Sequence, residues 1–429
     1  MENPAISKSQ LKGVLAHALN RLLTWRPGGY LRASGGLFGW LLLRAAAQAV
    51  MVVLLARLLG AEGYGLFVTV MAVSGFFSPV AGLGLGGLLL RDGASQPENL
   101  SSQLGMALVL WWPTALVCSL CATAILAWTL PSHIPLAALA TFALAEIGTS
   151  SFLDLAVRVE QARHRIGVFG ALQAGMILAR LAGLLLYALL GRADPAGCLW
   201  AYALASVFFA LFIAWRLATE YAPRWPPKRD WAMARESCPF TIGALSFRLQ
   251  AEFNKPLLAR VSYGEAGHFG VAQRAVDLAS LPLQALQETL WPRLYAGRHS
   301  PRQLWRLVAV LVALALLGGC VLVLLAPWIA RLLGAGFEAT AHLVMLLALL
   351  PTLQLVRNLL NIIVAQQRRQ SALTAVYLLG GMVGVLLNLW LVPTFGLTGA
   401  VSASYLVEVV LIALLAAFVF SKSKRLQDA

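Results

Sequence analysis

Charge is what this sequence has least of. Only 12% of its 429 residues are charged, about half of the ~25% usual in soluble domains. No polar outer face accompanies its apolar runs, which excludes a large buried helical core in water. Acidic residues are scarcest, 18 Asp and Glu against 33 Lys and Arg, for a net charge of +15. Cysteine is sparse, five in all. The pair Cys118 and Cys121 lies inside an apolar run without a second pair or histidines, which points to packing rather than metal or redox chemistry. The six histidines are scattered and suggest no zinc site. No Gly-Lys-Ser/Thr phosphate loop is present, which weighs against ATP hydrolysis. No metal or cofactor is implied. The first apolar run starts too late and is too long for a cleavable signal peptide. No loop is long enough for an external catalytic subdomain, which weighs against an enzyme.

What is present is hydrocarbon-compatible sequence, 59% hydrophobic, in windows long enough to cross ~30 Å of bilayer. Twelve spans are expected. In the first half they cover 37–59, 64–89, 104–130, 134–157, 168–190 and 197–217. In the second they cover 238–262, 267–294, 304–326, 339–365, 371–393 and 396–420. The fold class is thus an all-α polytopic membrane protein. Basic residues alternate between its loops: Lys8, Lys12, Arg21, Arg26 and Arg32 precede span one, and Arg158, Arg163 and Arg165 follow span four. Further clusters follow spans six, eight, ten and twelve, whereas the intervening loops hold only Arg192 and Arg331. That is the positive-inside pattern, with both termini in the cytoplasm. The excess charge orients the chain and meets anionic lipid; it reads no nucleic acid. Before span one, Leu11, Leu15, Leu19, Leu22 and Leu23 recur at helical spacing beside Lys12 and Arg21, as in an amphipathic helix lying on the membrane. A partly disordered leader is the alternative.

The two halves echo each other. An offset of 204 residues carries Gly60 to Gly264, Gly63 to Gly267, Arg44 to Arg248 and Gln48 to Glu252. Val159, Gln161 and Arg163 recur as Val364, Gln366 and Arg368 at nearly the same spacing. Six spans per half is even, so both halves share one orientation, with the site expected between them near the midplane. The expected organisation is an N-terminal amphipathic segment (1–36), an N-lobe (37–217), a basic linker (218–237), a C-lobe (238–420) and a cytoplasmic tail (421–429).

Charges inside the spans carry the functional reading. Arg44, Arg248, Glu252, Lys255, Arg274 and Asp277 all lie within spanning segments. Each costs at least ~2.5–3.5 kcal/mol in a bilayer and belongs in a bundle interior or a wet cavity. Their sum predicts a mainly cationic central cavity. The competing reading is a scaffold, because Arg248 and Glu252, Glu252 and Lys255, and Arg274 and Asp277 are helix-face neighbours that can neutralise each other. Glu146 and Arg180 are isolated mid-span charges expected to pair across helices; Glu408 has no evident role. Gly82, Gly84, Gly86 and Gly87, and the pair Gly380 and Gly384, fit close helix packing. Pro79, Pro282 and Pro351 suggest kinks.

The segment 56–67, the Gly-rich second span up to Arg91, Gln161-Ala162-Arg163, the stretch 269–294 ending Trp291-Pro292-Arg293-Leu294, and Asn388-Leu389-Trp390-Leu391-Val392-Pro393 with Gly396, Gly399 and Ala400 resemble one family. It is that of flippases for lipid-linked polysaccharide repeat units, of the O-antigen or exopolysaccharide type. The superfamily also includes multidrug-and-toxin exporters and lipid II flippases. The resemblance implies two six-helix lobes around a cavity lined by spans one, two, seven and eight, in the bacterial inner membrane. It implies as substrate an undecaprenyl-diphosphate-linked oligosaccharide used in lipopolysaccharide or exopolysaccharide synthesis, and as partners a polysaccharide polymerase and a chain-length regulator.

Such a head group carries roughly two negative charges, which guanidinium groups bind bidentately. Arg44 and Arg248, one per lobe, are expected to clamp it, with Lys255 and Arg274 continuing the path. Glu252 and Asp277 are candidates for coupling a proton or sodium ion. A multidrug exporter of the same fold is the alternative, disfavoured because such exporters prefer organic cations. A membrane glycan polymerase is a third reading.

Overall fold

The computed structural model describes residues 29–130, 134–225, 230–296, 301–334, 336–366 and 370–427. The amphipathic helix expected within 11–23 lies outside them, as do residues 226–229 of the basic linker. Among the described residues all regular structure is helical. The helices of the first half are α1 (Gly29–Ala81), α2 (Leu85–Ser95), α3 (Leu100–Thr129), α4 (Leu136–Ala162), α5 (Ile166–Leu189) and α6 (Pro195–Tyr221). Those of the second are α7 (Trp231–Glu252), α8 (Asn254–Val261), α9 (Tyr263–Ala296), α10 (Pro301–Leu333), α11 (Glu338–Leu347), α12 (Leu350–Gln366) and α13 (Gln370–Gln427).

The chain is a multi-pass membrane protein. Eight helical stretches are long and apolar enough to cross a bilayer. Two of them, at 43 and 47 residues, are about twice the ~20 residues that one pass needs. Each folds back at a glycine that only a residue without Cβ adopts readily: Gly60 (φ 66°) in α1 and Gly396 (φ 56°) in α13. The α7–α8 pair and α9 fall outside that count: α8 is only eight residues long, and α7 and α9 carry charged residues. With two passes from each folded helix, the arrangement accommodates the twelve expected spans. Large apolar side chains such as Trp112, Phe208, Leu211, Leu324 and Trp390 point outward, as a lipid-facing surface requires.

Three breaks fall inside spans: one at residues 82–84, between α1 and α2, where Gly84 takes a left-handed φ of 64°, and two set by proline. Pro256 lacks an N–H and its ring clashes with the Glu252 carbonyl one turn earlier, and the span divides there into α7 and α8 at Phe253. Pro351 stands in the same relation to Leu347, where α11 ends. Pro79, by contrast, sits inside α1 without interrupting it.

The largest apolar cluster is centred in the first half and takes in Val271, Leu333 and Phe337 of the second, which has further clusters of its own. Phe67 meets Phe142 and Tyr202 edge-on at the centre of the first half, and those two rings are tilted by 31° to each other, with centroids 5.1–5.7 Å apart. Leu258, Phe269, Leu343 and Val401 anchor the second. The halves meet chiefly where the second segment of α1 crosses the start of α9. There a Cβ on Gly65 would lie 2.7 Å from the Tyr263 carbonyl carbon, so the two backbones touch. At the same end Arg57 Nε donates to the Leu332 carbonyl (2.8 Å), and Arg260 lies 5.6 Å over the Trp128 ring. Away from that end, Ser237 donates to the Leu83 carbonyl (2.5 Å) and Arg91 pairs with Glu236 (2.6 Å). A cavity remains between these two sets of contacts.

Candidate functional site

The cavity is lined by both segments of α1 (among them Gln48, Tyr64 and Met71), by Glu146 of α4, by Arg248 and Glu252 of α7, Lys255 of α8, and Gly270 and Arg274 of α9. Its charged lining is three cations and two carboxylates, almost all from the second half. The Pro256 break lies between Glu252 and Lys255. Interrupted helices at such depth are tolerated where they line a cavity or are buried in protein. Gln273 of α9 donates to the Ala251 carbonyl (2.7 Å) and Gln250 to the Tyr377 carbonyl (3.2 Å), which hold the region on both sides. Neither Pro256 nor these amides stood out in the sequence; the i,i−4 relation of Pro256 to Glu252 is the signal that could have found the break.

Within the cavity the cations differ in what they already bind. Lys255 is the most enclosed, with 2% of its side chain exposed, and its Nζ donates to Glu252 Oε2. Arg274 is 27% exposed and stands 3.9 Å from Glu252 Oε1 and 3.7 Å from Asp277 Oδ2. Both distances exceed hydrogen-bond range, so charge holds this guanidinium and its donors remain available. Arg248 makes no ion pair or hydrogen bond with a described residue, although Glu252 lies one turn along the same helix. Its Nη1 lies 3.8 Å from a Cβ placed on Gly75, across the interface.

Arg44 lies elsewhere. Its Nη1 donates to Gln173 Oε1 of α5, and it is not among the lining residues, although Gln48 one turn later is. Helical side chains lean toward the N-terminus, which carries Arg44 away from the cavity. Asp277 is also outside the lining and stands beside the site next to Arg274.

A second polar group sits behind the first. Arg180 Nη2 donates to Glu146 Oε2 (2.8 Å), Tyr202 donates to the same oxygen (3.0 Å), and Ser150 to Oε1 (3.0 Å). Arg180 Nε donates to Ser206 (2.9 Å), and the guanidinium lies 4.5 Å over the Tyr202 ring. These donors compensate a carboxylate that faces the cavity. In the other half Arg357 and Glu408 approach to 3.3 Å, both under 10% exposed, which gives Glu408 a partner.

The cavity offers about 50 Å³ to water centres. That is room for a few waters, against ~300–1,000 Å³ in sites that enclose a drug-sized ligand. A ligand of that size therefore requires the halves to part.

The family model for polysaccharide biosynthesis proteins matches residues 36–290. The chain belongs to that family. The match runs from the start of α1 almost to the end of α9 and so includes every helix that lines the cavity. A sequence search among curated proteins finds no match for this family member. Its fold is shared with solved transporters. It is similar to the lipid II flippase MurJ in an inward closed conformation, at 11% identity and TM-score 0.72 over 90% of this chain and 87% of that one. It is also similar to a multidrug resistance MATE family transporter of the MOP superfamily in an inward-facing conformation, at 14% identity and TM-score 0.67 over 89% and 96%. A third likeness, 13% identity and TM-score 0.56 over 92% and 95%, is to a MOP superfamily transporter from Pyrococcus furiosus described by the reverse polarity of its binding pocket.

Proposed function

We propose that this polysaccharide biosynthesis protein is a flippase, not an enzyme, and that it moves undecaprenyl-diphosphate-linked oligosaccharide repeat units across the bacterial inner membrane. The observation that carries the reading is the pair Arg248 and Arg274, which face one inter-lobe cavity with guanidinium donors unspent. Guanidinium forks match phosphate oxygens bidentately, and a diphosphate supplies the two charges that such a pair accepts. The polyprenyl tail stays in the bilayer while the sugars follow the head group between the lobes. Both termini face the cytoplasm, as the loop charges imply. Moving about two negative charges outward through a negative-inside potential gains roughly 4–5 kcal/mol per 100 mV if they cross the full field. Glu252 and Asp277 remain candidates for a coupling ion, and a polymerase and a chain-length regulator remain candidate partners on the outer face.

Deletion in the native host tests this, with lipid-linked oligosaccharide and exported polysaccharide assayed together. The deletion strain accumulates the intermediate and loses export. Wild type restores both, and Arg248→Ala/Arg274→Ala, expressed at the same level, does not. Normal pools and normal export in a host without a second flippase would contradict the proposal.

A further inference from the structure

We infer that Glu252 is a resident counter-ion that an incoming phosphate displaces from Arg274, so that the cavity works by anion exchange. This rests on the reading of the cavity as an anion site, and goes beyond it by assigning the step that frees and refills that site. The two oxygens of Glu252 are unequally committed. Oε2 accepts the Lys255 Nζ bond, and Lys255 is buried, so that half of the carboxylate is fixed. Oε1 faces Arg274 at 3.9 Å without a hydrogen bond. Arg274 has five N–H donors, and its other carboxylate neighbour, Asp277, is also beyond hydrogen-bond range at 3.7 Å.

A phosphate oxygen arriving at ~2.7–2.9 Å from the guanidinium would replace a looser contact. Glu252 would keep Lys255 throughout. When the phosphate leaves, Glu252 again faces Arg274, so neither state leaves that cation uncompensated in a low-dielectric site. The repeat supports the assignment. The position equivalent to Glu252 in the first half is Gln48, which lines the same cavity. The carboxylate is thus an addition to one lobe, placed beside the cations of that lobe. A negative charge retained about 4 Å from the bound anion weakens binding and favours release.

The test is binding of inorganic pyrophosphate to the purified full-length protein by calorimetry, with thermal stability followed in parallel. Glu252→Gln is expected to bind about tenfold or more tightly than wild type, the effect of removing one like charge at ~4 Å in a partly shielded site. Glu252→Asp, which keeps the charge, binds as wild type does. Arg248→Gln and Arg274→Gln bind more weakly. If the arginine variants weaken binding and Glu252→Gln does not tighten it, exchange is overturned and the anion site stands. If neither arginine variant changes binding, the anion site itself falls. Should Glu252→Gln strand Lys255 and fail to fold, Glu252→Gln/Lys255→Met is compared with Lys255→Met alone. Tighter binding by the double variant supports exchange, and equal binding overturns it.

Discussion

Gly65→Ala separates the lobes at the point where they touch most closely. A Cβ there falls 2.7 Å from the Tyr263 carbonyl carbon and 2.8 Å from the Gly267 nitrogen. Carbon pairs rest at ~3.5–4.0 Å, so α1 and α9 must part by at least about 1 Å. Both of these obstacles and the Tyr263 carbonyl oxygen, which lies nearer still, are backbone atoms, and no side-chain rotation relieves them. Overpacking of this kind costs about 1–3 kcal/mol, and only in the state in which the helices are in contact. The equilibrium therefore shifts by roughly 5- to 150-fold toward the state open at this end. On the proposed orientation that end faces the periplasm. The assay is labelling by a membrane-impermeant maleimide from outside, at a single cysteine replacing Met71 in a background lacking the five native cysteines. Gly65→Ala is expected to raise the labelling rate in proportion to the shift and to slow transport. Unchanged labelling with full transport would refute the idea that this crossing closes the cavity.

Breaking the buried Arg180–Glu146 pair with Arg180→Ala should lower stability by about 3–5 kcal/mol; thermal unfolding in detergent reads this, and Arg180→Met/Glu146→Leu should recover much of the loss. Pro256→Ala restores a donor to the Glu252 carbonyl and should join α7 to α8, moving Lys255 relative to Glu252; transport should fall while folding is kept, as activity and thermal stability together report. Asp194 caps α6 by accepting from the Gly197 N–H (2.7 Å) and from the Tyr187 hydroxyl, and these two bonds, the hydroxyl's first, hold its carboxyl below the usual carboxylate range. Asp194→Ala should cost about 1 kcal/mol. Because the folded value is the lower one, that contribution is complete above the ordinary carboxylate value and disappears as pH falls through the lowered one. Unfolding curves of the two proteins should accordingly converge at low pH.

The fold was readable because its signals are local. Apolar length marks the spans, and Gly60 and Gly396 stand where adjacent spans meet. Lys255 beside Glu252, and Arg274 beside Asp277, are likewise neighbours on one helix face, and helical spacing alone brings them together. Contacts between helices carry no such signal. Gln173 lies 129 residues from Arg44, and nothing in the sequence says that it takes that guanidinium. Glu146 and Arg180 could be read only as two mid-span charges in need of partners; Tyr202 and Ser206, which complete their network, look like ordinary span residues. The difference between Lys255, already bonded, and Arg274, held by charge alone, depends on distances of an ångström. Residue spacing does not encode that.

The central claim is translocation of a lipid diphosphate through a cavity whose arginines hold it. Proteoliposomes containing the purified protein and a fluorescent polyprenyl-diphosphate oligosaccharide test it directly, with an impermeant glycosidase added outside. Wild-type protein should make nearly all of the oligosaccharide accessible, and Arg248→Ala/Arg274→Ala should leave about half protected, as in protein-free vesicles. Equal accessibility with wild type and the double variant would contradict the role of the arginines, and protection persisting with wild type under an imposed membrane potential would contradict the flippase itself.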